Sequence, residues 1–419
     1  MTLTDSNGSD LDRSDLTLAD IDLLEDTWAA GVPDDQFRLL RAEAPVYWHD
    51  HPEAGGFWAV TRYEDVKAIS RDWRTYSTEL GSTFIRDFDE AAMELVRMTL
   101  LNMDPPKHTR YRKLVSAGFT PRMIRALFDG IETTARDIVD RVADADGEVD
   151  FVEAVAVPLP LQIICDMIGV PAEDRTKVFE WSNRLVGGQD PDFSPSEDDQ
   201  MIAQTEIYAY CDAIAADRRA NPRDDIMSTL VHAEVEGDRL DTQELNLFFV
   251  LLCVAGNETT RNLISHAMMA LIEHPDARRE LAANIDDDAL WNTATEEFLR
   301  WNGSIQNFRR TATQATRIRD TDIAEGDKVV IYYHSANRDD SVFTNPDTFD
   351  IHRSPNDHVS FGGGGTHFCL GANLARLEIR TMLREVLRRF PEAEYNGAPK
   401  RFRSDFVNGI KELPVKLFA

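Results

Sequence analysis

Cys369 lies in the run Phe361-Gly-Gly-Gly-Gly-Thr-His367-Phe-Cys369-Leu-Gly371-Ala-Asn-Leu-Ala-Arg376, where four glycines lead into a lone cysteine that opens a helix-like stretch. A glycine-rich loop lets backbone approach a large flat group and leaves N–H groups free to point at a sulfur. At a helix N-terminus the thiolate is favoured, and the thiolate is the form that binds metal. The arrangement predicts an axial ligand to haem iron, because thiolate ligation pushes electron density onto the metal and favours O–O cleavage. A structural cysteine beside a tight turn would account for a bare Gly–Cys pair, but not for Phe361, His367, Cys369 and Gly371 together. A zinc site on His367 and Cys369 would lack two further ligands nearby.

A second candidate lies within the longest helical pattern, 241–274. Asp241 and Glu244 form a capping box at its start. Leu245, Phe248, Phe249 and Leu252 line one apolar face, and His274-Pro275 ends the helix. Midway the pattern is interrupted by Ala255-Gly256-Asn257-Glu258-Thr259-Thr260. A glycine, a carboxylate and two hydroxyls are poor material for a buried helix, and they predict a local bulge at a functional site. Two further pairs share a helix face by spacing: Glu297 with Arg300, and His108 with Arg112.

The remaining sequence must position these groups. With 419 residues, 42% of them hydrophobic, the chain is long and apolar enough for a sizeable core. Its 74 acidic against 45 basic residues give a net charge of −29, which argues against nucleic-acid or anionic-membrane binding. Cys165, Cys211, Cys253 and Cys369 form no CxxC pair, the usage of a reduced, cytoplasmic protein. The acidic N-terminus has no basic or apolar segment of a signal peptide. The longest apolar run, near 247–255, is too short for a membrane anchor. Helical patterns cover 34–44, 63–71, 107–117, 121–144, 199–220, 241–274, 288–301 and 370–390. Strand patterns cover 56–61 and a pair within 308–333. Residues 1–22 read as a disordered segment and 23–419 as one large domain, mostly α with a small β portion.

In this order, the Cys369 loop, Ala255-Gly256-x-Glu258-Thr259 and Glu297-x-x-Arg300 resemble the bacterial cytochromes P450 over essentially all of residues 25–419. The resemblance implies the cytochrome P450 fold, haem b bound through Cys369, and a monooxygenase that inserts one oxygen atom of O2 into an unactivated C–H bond. It implies that Thr259 hydrogen-bonds beside the iron and that Glu258 relays protons, so that the second oxygen atom leaves as water. Arg353 would complete a buried ion triad with Glu297 and Arg300. His108, Arg112, Arg310 and His367 would hold the haem propionates, with Arg309 a surface bystander. Electrons would come from a ferredoxin and its reductase, since the chain has no flavin or iron–sulfur motif. Arg376, Arg380, Arg384 and Arg388, with Lys113, would form a basic docking stripe, or else a solvated face paired with Glu378 and Glu385.

Several stretches, among them 102–110, 255–262, 335–339 and 403–411, resemble actinobacterial oxidases of sterol side chains and methyl-branched lipids, and in part linalool hydroxylases. Phe361 stands eight residues before Cys369, one more than the common pattern, and this longer loop points the same way. The implied reaction is hydroxylation of a terminal methyl on an apolar, branched small molecule. Phe84, Met98, Leu100, Ile305, Phe406 and Val407 would line the pocket, with Gln306 and Asn307 adding polarity. The protein is expected to act as a monomer. Two alternatives stay open: a haem-thiolate sensor without turnover, and a peroxide-driven hydroxylase. The Glu258–Thr259 pair favours the monooxygenase, because neither alternative needs it.

Overall fold

The computed structural model describes residues 16–52, 54–116, 121–144, 147–186, 190, 192, 196–234, 237 and 239–418. The central element is the 32-residue helix Thr242–Glu273. Its capping box forms as the spacing requires: Glu244 N donates to Asp241 Oδ1 at 2.8 Å, and Asp241 N to Glu244 Oε2 at 3.0 Å. Pro158–Ile168, Arg175–Val186, Glu197–Ala220 and Ala372–Arg389 pack around it. Together they enclose one large apolar core.

The bulge predicted at 255–260 is absent: the helix runs through without interruption. Gly256 serves packing instead. A Cβ there would lie 2.6 Å from Ile164 Cγ1, so glycine is what lets Pro158–Ile168 cross this closely. The Thr259 hydroxyl is accommodated by donating to Ala255 O, 2.9 Å away.

A five-stranded sheet flanks the helical body in the order Val46–His49, Phe57–Val60, Lys328–Tyr332, Asn307–Ala312, Tyr76–Ser77. Phe57–Val60 and Lys328–Tyr332 pair in parallel and the other neighbours antiparallel, so the helical body is inserted between two adjacent strands. Glu392–Tyr395, Pro414–Phe418 and Glu148–Asp150 form a second sheet. The fold is mostly α with a small β portion, and the predicted long helices are found with ends shifted by up to two residues. Helices missed by pattern include Pro158–Ile168, which is short, strongly apolar, buried along most of its length and carries two prolines in its first turn.

Of the segment expected to be disordered, residues 1–15 lie outside the described residues. Residues 16–22 are packed: Leu18–Asp20 form a 3-10 turn, Tyr47 donates its hydroxyl to Leu18 O at 2.8 Å, and Ile21 is buried. Among the described residues, no helix is long and apolar enough to cross a membrane.

Candidate active site

The Cys369 loop is built against the helix Tyr63–Arg71. A Cβ on Gly363 would come within 2.9 Å of Lys67 Cα, and one on Gly365 within 2.6 Å of Ser70 O. Two of the four glycines are therefore required by protein packing. Cys369 N donates to Phe361 O at 2.9 Å, closing the loop across its extra glycine. The Arg376 guanidinium lies 4.6 Å from the Phe361 ring. Cys369 keeps accessible surface, yet the protein around it desolvates the thiol and pushes its pKa up. A backbone hydrogen bond from Gly371 and the charges of Arg112 and Arg376 pull in the other direction without prevailing. The thiolate expected from the helix end alone is thus not favoured; a coordinated metal ion would deprotonate the thiol outright.

The four groups predicted to hold propionates come together. The His108 and His367 rings are 4.3 Å apart, and the charges of Arg310, His108 and Arg112 all act on His367. His108 is buried with both ring nitrogens unpartnered, and burial with nearby Arg112 pushes its pKa down to about 4. Arg310 is buried and donates to Arg309 O at 2.8 Å. Arg112 donates to two loop carbonyls, Thr366 O at 3.2 Å and Phe368 O at 2.5 Å. The neighbouring carboxylate, Asp104, is engaged by Ser77 and Thr78. A buried cluster of cations and orphaned imidazole nitrogens fits the two carboxylates of a haem, and an accessible thiol fits its iron. Arg309 is not a surface bystander: it is 4% exposed and bonds Asp87 at 2.6 Å.

The ion triad is fully formed. Glu297 accepts from Arg300 Nε and Nη2, both at 2.8 Å, and from Arg353 Nε at 3.1 Å. Both arginines also bind carbonyls of the 337–348 stretch, including Asn337 O, Pro346 O and Thr348 O. Glu297 and Arg300 side chains have no exposure, so the triad acts as a lock on this loop.

On the central helix, Ala255 is exposed and Thr259 half-buried although Asn257, Glu258 and Thr260 are buried. The accessible stripe at i and i+4 marks the side that can meet a cofactor. Ser304 Oγ donates to Thr259 O at 2.5 Å, fixing the segment after Trp301 against this point. Burial raises the Glu258 pKa above the ordinary carboxylate value, and Arg261, 2.6 Å away, offsets this only in part. Arg261 went unnoticed in the sequence, although its i, i+3 spacing from Glu258 was a usable signal. Its second partner, Asn183 Oδ1 at 2.9 Å, had no such signal.

Of the pocket candidates, Phe84 and Phe406 meet at a ring distance of 4.9 Å, Phe308 joins Phe406 at 5.4 Å, and Ile305 bridges Val407. Leu100 is buried and Met98 half-buried. The Gln306 and Asn307 amides do not simply add polarity to the pocket. They donate to Ser404 O at 3.3 Å and Asp405 O at 2.6 Å, and so hold the loop that carries Phe406. The basic stripe is largely paired, with Glu385 as expected (3.5 Å from Arg388) but not with Glu378. Arg376 binds Glu296 at 2.6 Å, Arg384 binds Asp288 at 2.6 Å, Arg388 binds Asp286 at 3.1 Å, and Arg380 binds Asn292.

The family model for cytochrome P450 matches residues 56–416. The chain is 43% identical over 399 residues to a steroid C26-monooxygenase of Rhodococcus jostii (strain RHA1), covering 93% of this chain and 83% of the relative. It is 43% identical over 412 residues to a methyl-branched lipid omega-hydroxylase of Mycobacterium bovis, covering 96% and 95%. Among solved structures it resembles a Mycobacterium marinum cytochrome P450 in complex with pseudoionone, with a TM-score of 0.89, 40% identity, and coverage of 95% and 98%.

Proposed function

This chain belongs to the cytochrome P450 family and is a monooxygenase, and we propose that it hydroxylates a terminal methyl of an apolar, branched lipid or steroid in the cytoplasm, with electrons from a ferredoxin and its reductase. Haem b, held by Cys369 and by His108, Arg112, Arg310 and His367, supplies the oxygen chemistry: R–H, O2, two electrons and two protons give R–OH and water. The chain's own residues bind the substrate and deliver the protons. Glu258 carries the proton between solvent and the site; burial raises its pKa above the ordinary carboxylate value, which favours taking one up. Thr259, on the accessible side of the same helix, donates its proton to Ala255 O, which leaves its hydroxyl oxygen free to accept a hydrogen bond and so to orient the proton delivered there.

The observation that carries this reading is the pairing of a buried acid and an accessible hydroxyl at consecutive positions. A sensor has no use for such a relay. Support for the substrate class comes from the Phe84–Phe406–Phe308 cluster, a hydrophobic wall suited to an aliphatic tail, and from the two relatives named for steroids and methyl-branched lipids. The test is a titration of the ferric holoprotein with sterols, methyl-branched fatty acids and terpenols, followed by its Soret band. A saturable shift with a sterol or branched lipid is expected. No shift with any of them, against a clear shift with a polar or aromatic compound, would overturn the substrate class.

A further inference from the structure

Asn257 is fully buried, and neither Nδ2 nor Oδ1 has a hydrogen-bond partner. Two more buried polar atoms nearby are in the same position: Glu258 Oε1 and Arg261 Nε. Successive residues of an α-helix turn by about 100°. Arg261 therefore lies about 40° from Asn257 and Glu258 about 100° from it, all in one sector of the helix. The accessible Ala255 and Thr259 fall on the opposite side, about 160° and 200° away. Glu258 thus stands between the accessible stripe and a buried group of unsatisfied polar atoms. Arg261 extends that group to Asn183 of Arg175–Val186. The buried Met268 lies within this sector and the buried Cys253 and Ile264 flank it, while the hydroxyl of Ser265, also within it, is taken up by Arg261 O at 2.8 Å. Polar atoms that converge in such surroundings without protein partners are satisfied by ordered water.

Resting on the monooxygenase reading above, we propose that Asn257, Glu258 and Arg261 hold ordered water between Thr242–Glu273 and Arg175–Val186, and that Asn257 is a positioning residue for proton delivery. A proton that leaves Glu258 toward Thr259 is replaced from this water, which takes another from solvent behind it. Glu258 is thereby restored, and the charge balance of its pair with Arg261 is the same before and after each transfer. The Asn257 amide orients the water, donating through Nδ2 and accepting at Oδ1.

A high-resolution crystal structure of the holoprotein tests the water directly and needs no turnover. Density within hydrogen-bond distance of Asn257 and Glu258 Oε1 is expected, and a dry, apolar-filled space would overturn the proposal. Asn257→Leu, close in size but unable to bind water, is expected to lower product per electron pair several-fold. Hydrogen peroxide should make up the difference and the solvent deuterium isotope effect should rise, with substrate affinity by Soret titration unchanged. Asn257→Ser, which leaves room for water, is expected to restore most of the coupling and covers the case in which the leucine variant folds poorly. Unchanged coupling and isotope effect in both variants would overturn the proposal. Failure of the substrate reading shows instead in the unsubstituted protein, as absence of hydroxylated lipid, while the water density still decides this inference.

Discussion

Arg261 Nη2 lies 2.6 Å from Glu258 Oε2, in a pair whose side chains are 4% and 3% exposed. Each charge is tolerated there because of the other. Arg261→Leu would strand the acid in the core and is expected to destabilise the protein by about 3–5 kcal/mol, read from urea unfolding. Glu258→Gln keeps the shape and an oxygen that can accept from Arg261, at some cost in stability because the guanidinium loses its counter-charge, but it has no proton to give. It is expected to fold and to lose turnover about 100-fold, the lower end of what a positioned acid contributes.

Thr259→Ala separates chemistry from stability. Its hydroxyl donates to a helix carbonyl that needs no second partner, so unfolding should change by less than about 1 kcal/mol. Product per electron pair is expected to fall about tenfold or more, with hydrogen peroxide released instead. Equal coupling in the variant would remove Thr259 from the proton path.

Gly256→Ala addresses helix packing. The added methyl meets Ile164, and overpacking of this kind costs about 1–3 kcal/mol. Ile164→Val in the same chain, which removes only the Cδ1 atom facing the new methyl, should recover part of that loss in thermal unfolding.

What could be read in advance follows from where the signals sit. The Glu297–Arg300 pair was legible because an ion pair on one helix face requires opposite charges at i, i+3. The long helices were legible from their length and end signals, as with the Asp241–Glu244 capping box. Pro158–Ile168 is short, strongly apolar and opens on Pro158 and Pro160, so its run could not be told from a buried strand. Gly256 was misread as a break because its reason, Ile164, lies 92 positions earlier in the chain. Asn257 looked like one more polar residue in an irregular stretch; its meaning depends on burial and on the absence of a partner, which only three dimensions reveal. The same holds for most of the arginine stripe, whose acid partners in the 286–296 stretch have no sequence signal, whereas the pair Arg388–Glu385 could be read from its spacing.

Glu378 gives a pH prediction. It is buried within Ala372–Arg389, Oε2 has no partner, and burial pushes its pKa up to about 8. The folded protein therefore binds this proton more tightly than the unfolded chain does. Between the ordinary glutamate pKa, 4.5, and about 8 the group costs stability progressively as pH rises. Glu378→Gln is expected to flatten the fall in unfolding free energy across that window by a few kcal/mol and to leave stability near pH 4 almost unchanged. A variant with the same pH slope as the parent would rule this out.

The most direct test of the account is turnover under 18O2 with a sterol or methyl-branched fatty acid, a ferredoxin, its reductase and a nicotinamide reductant, with products analysed by mass spectrometry and NMR. The account predicts one 18O atom in a hydroxyl on the terminal methyl of the branched tail, and loss of that product in the Cys369→Ala protein. Hydroxylation only at other positions, oxygen drawn from water, or undiminished product from Cys369→Ala would contradict it.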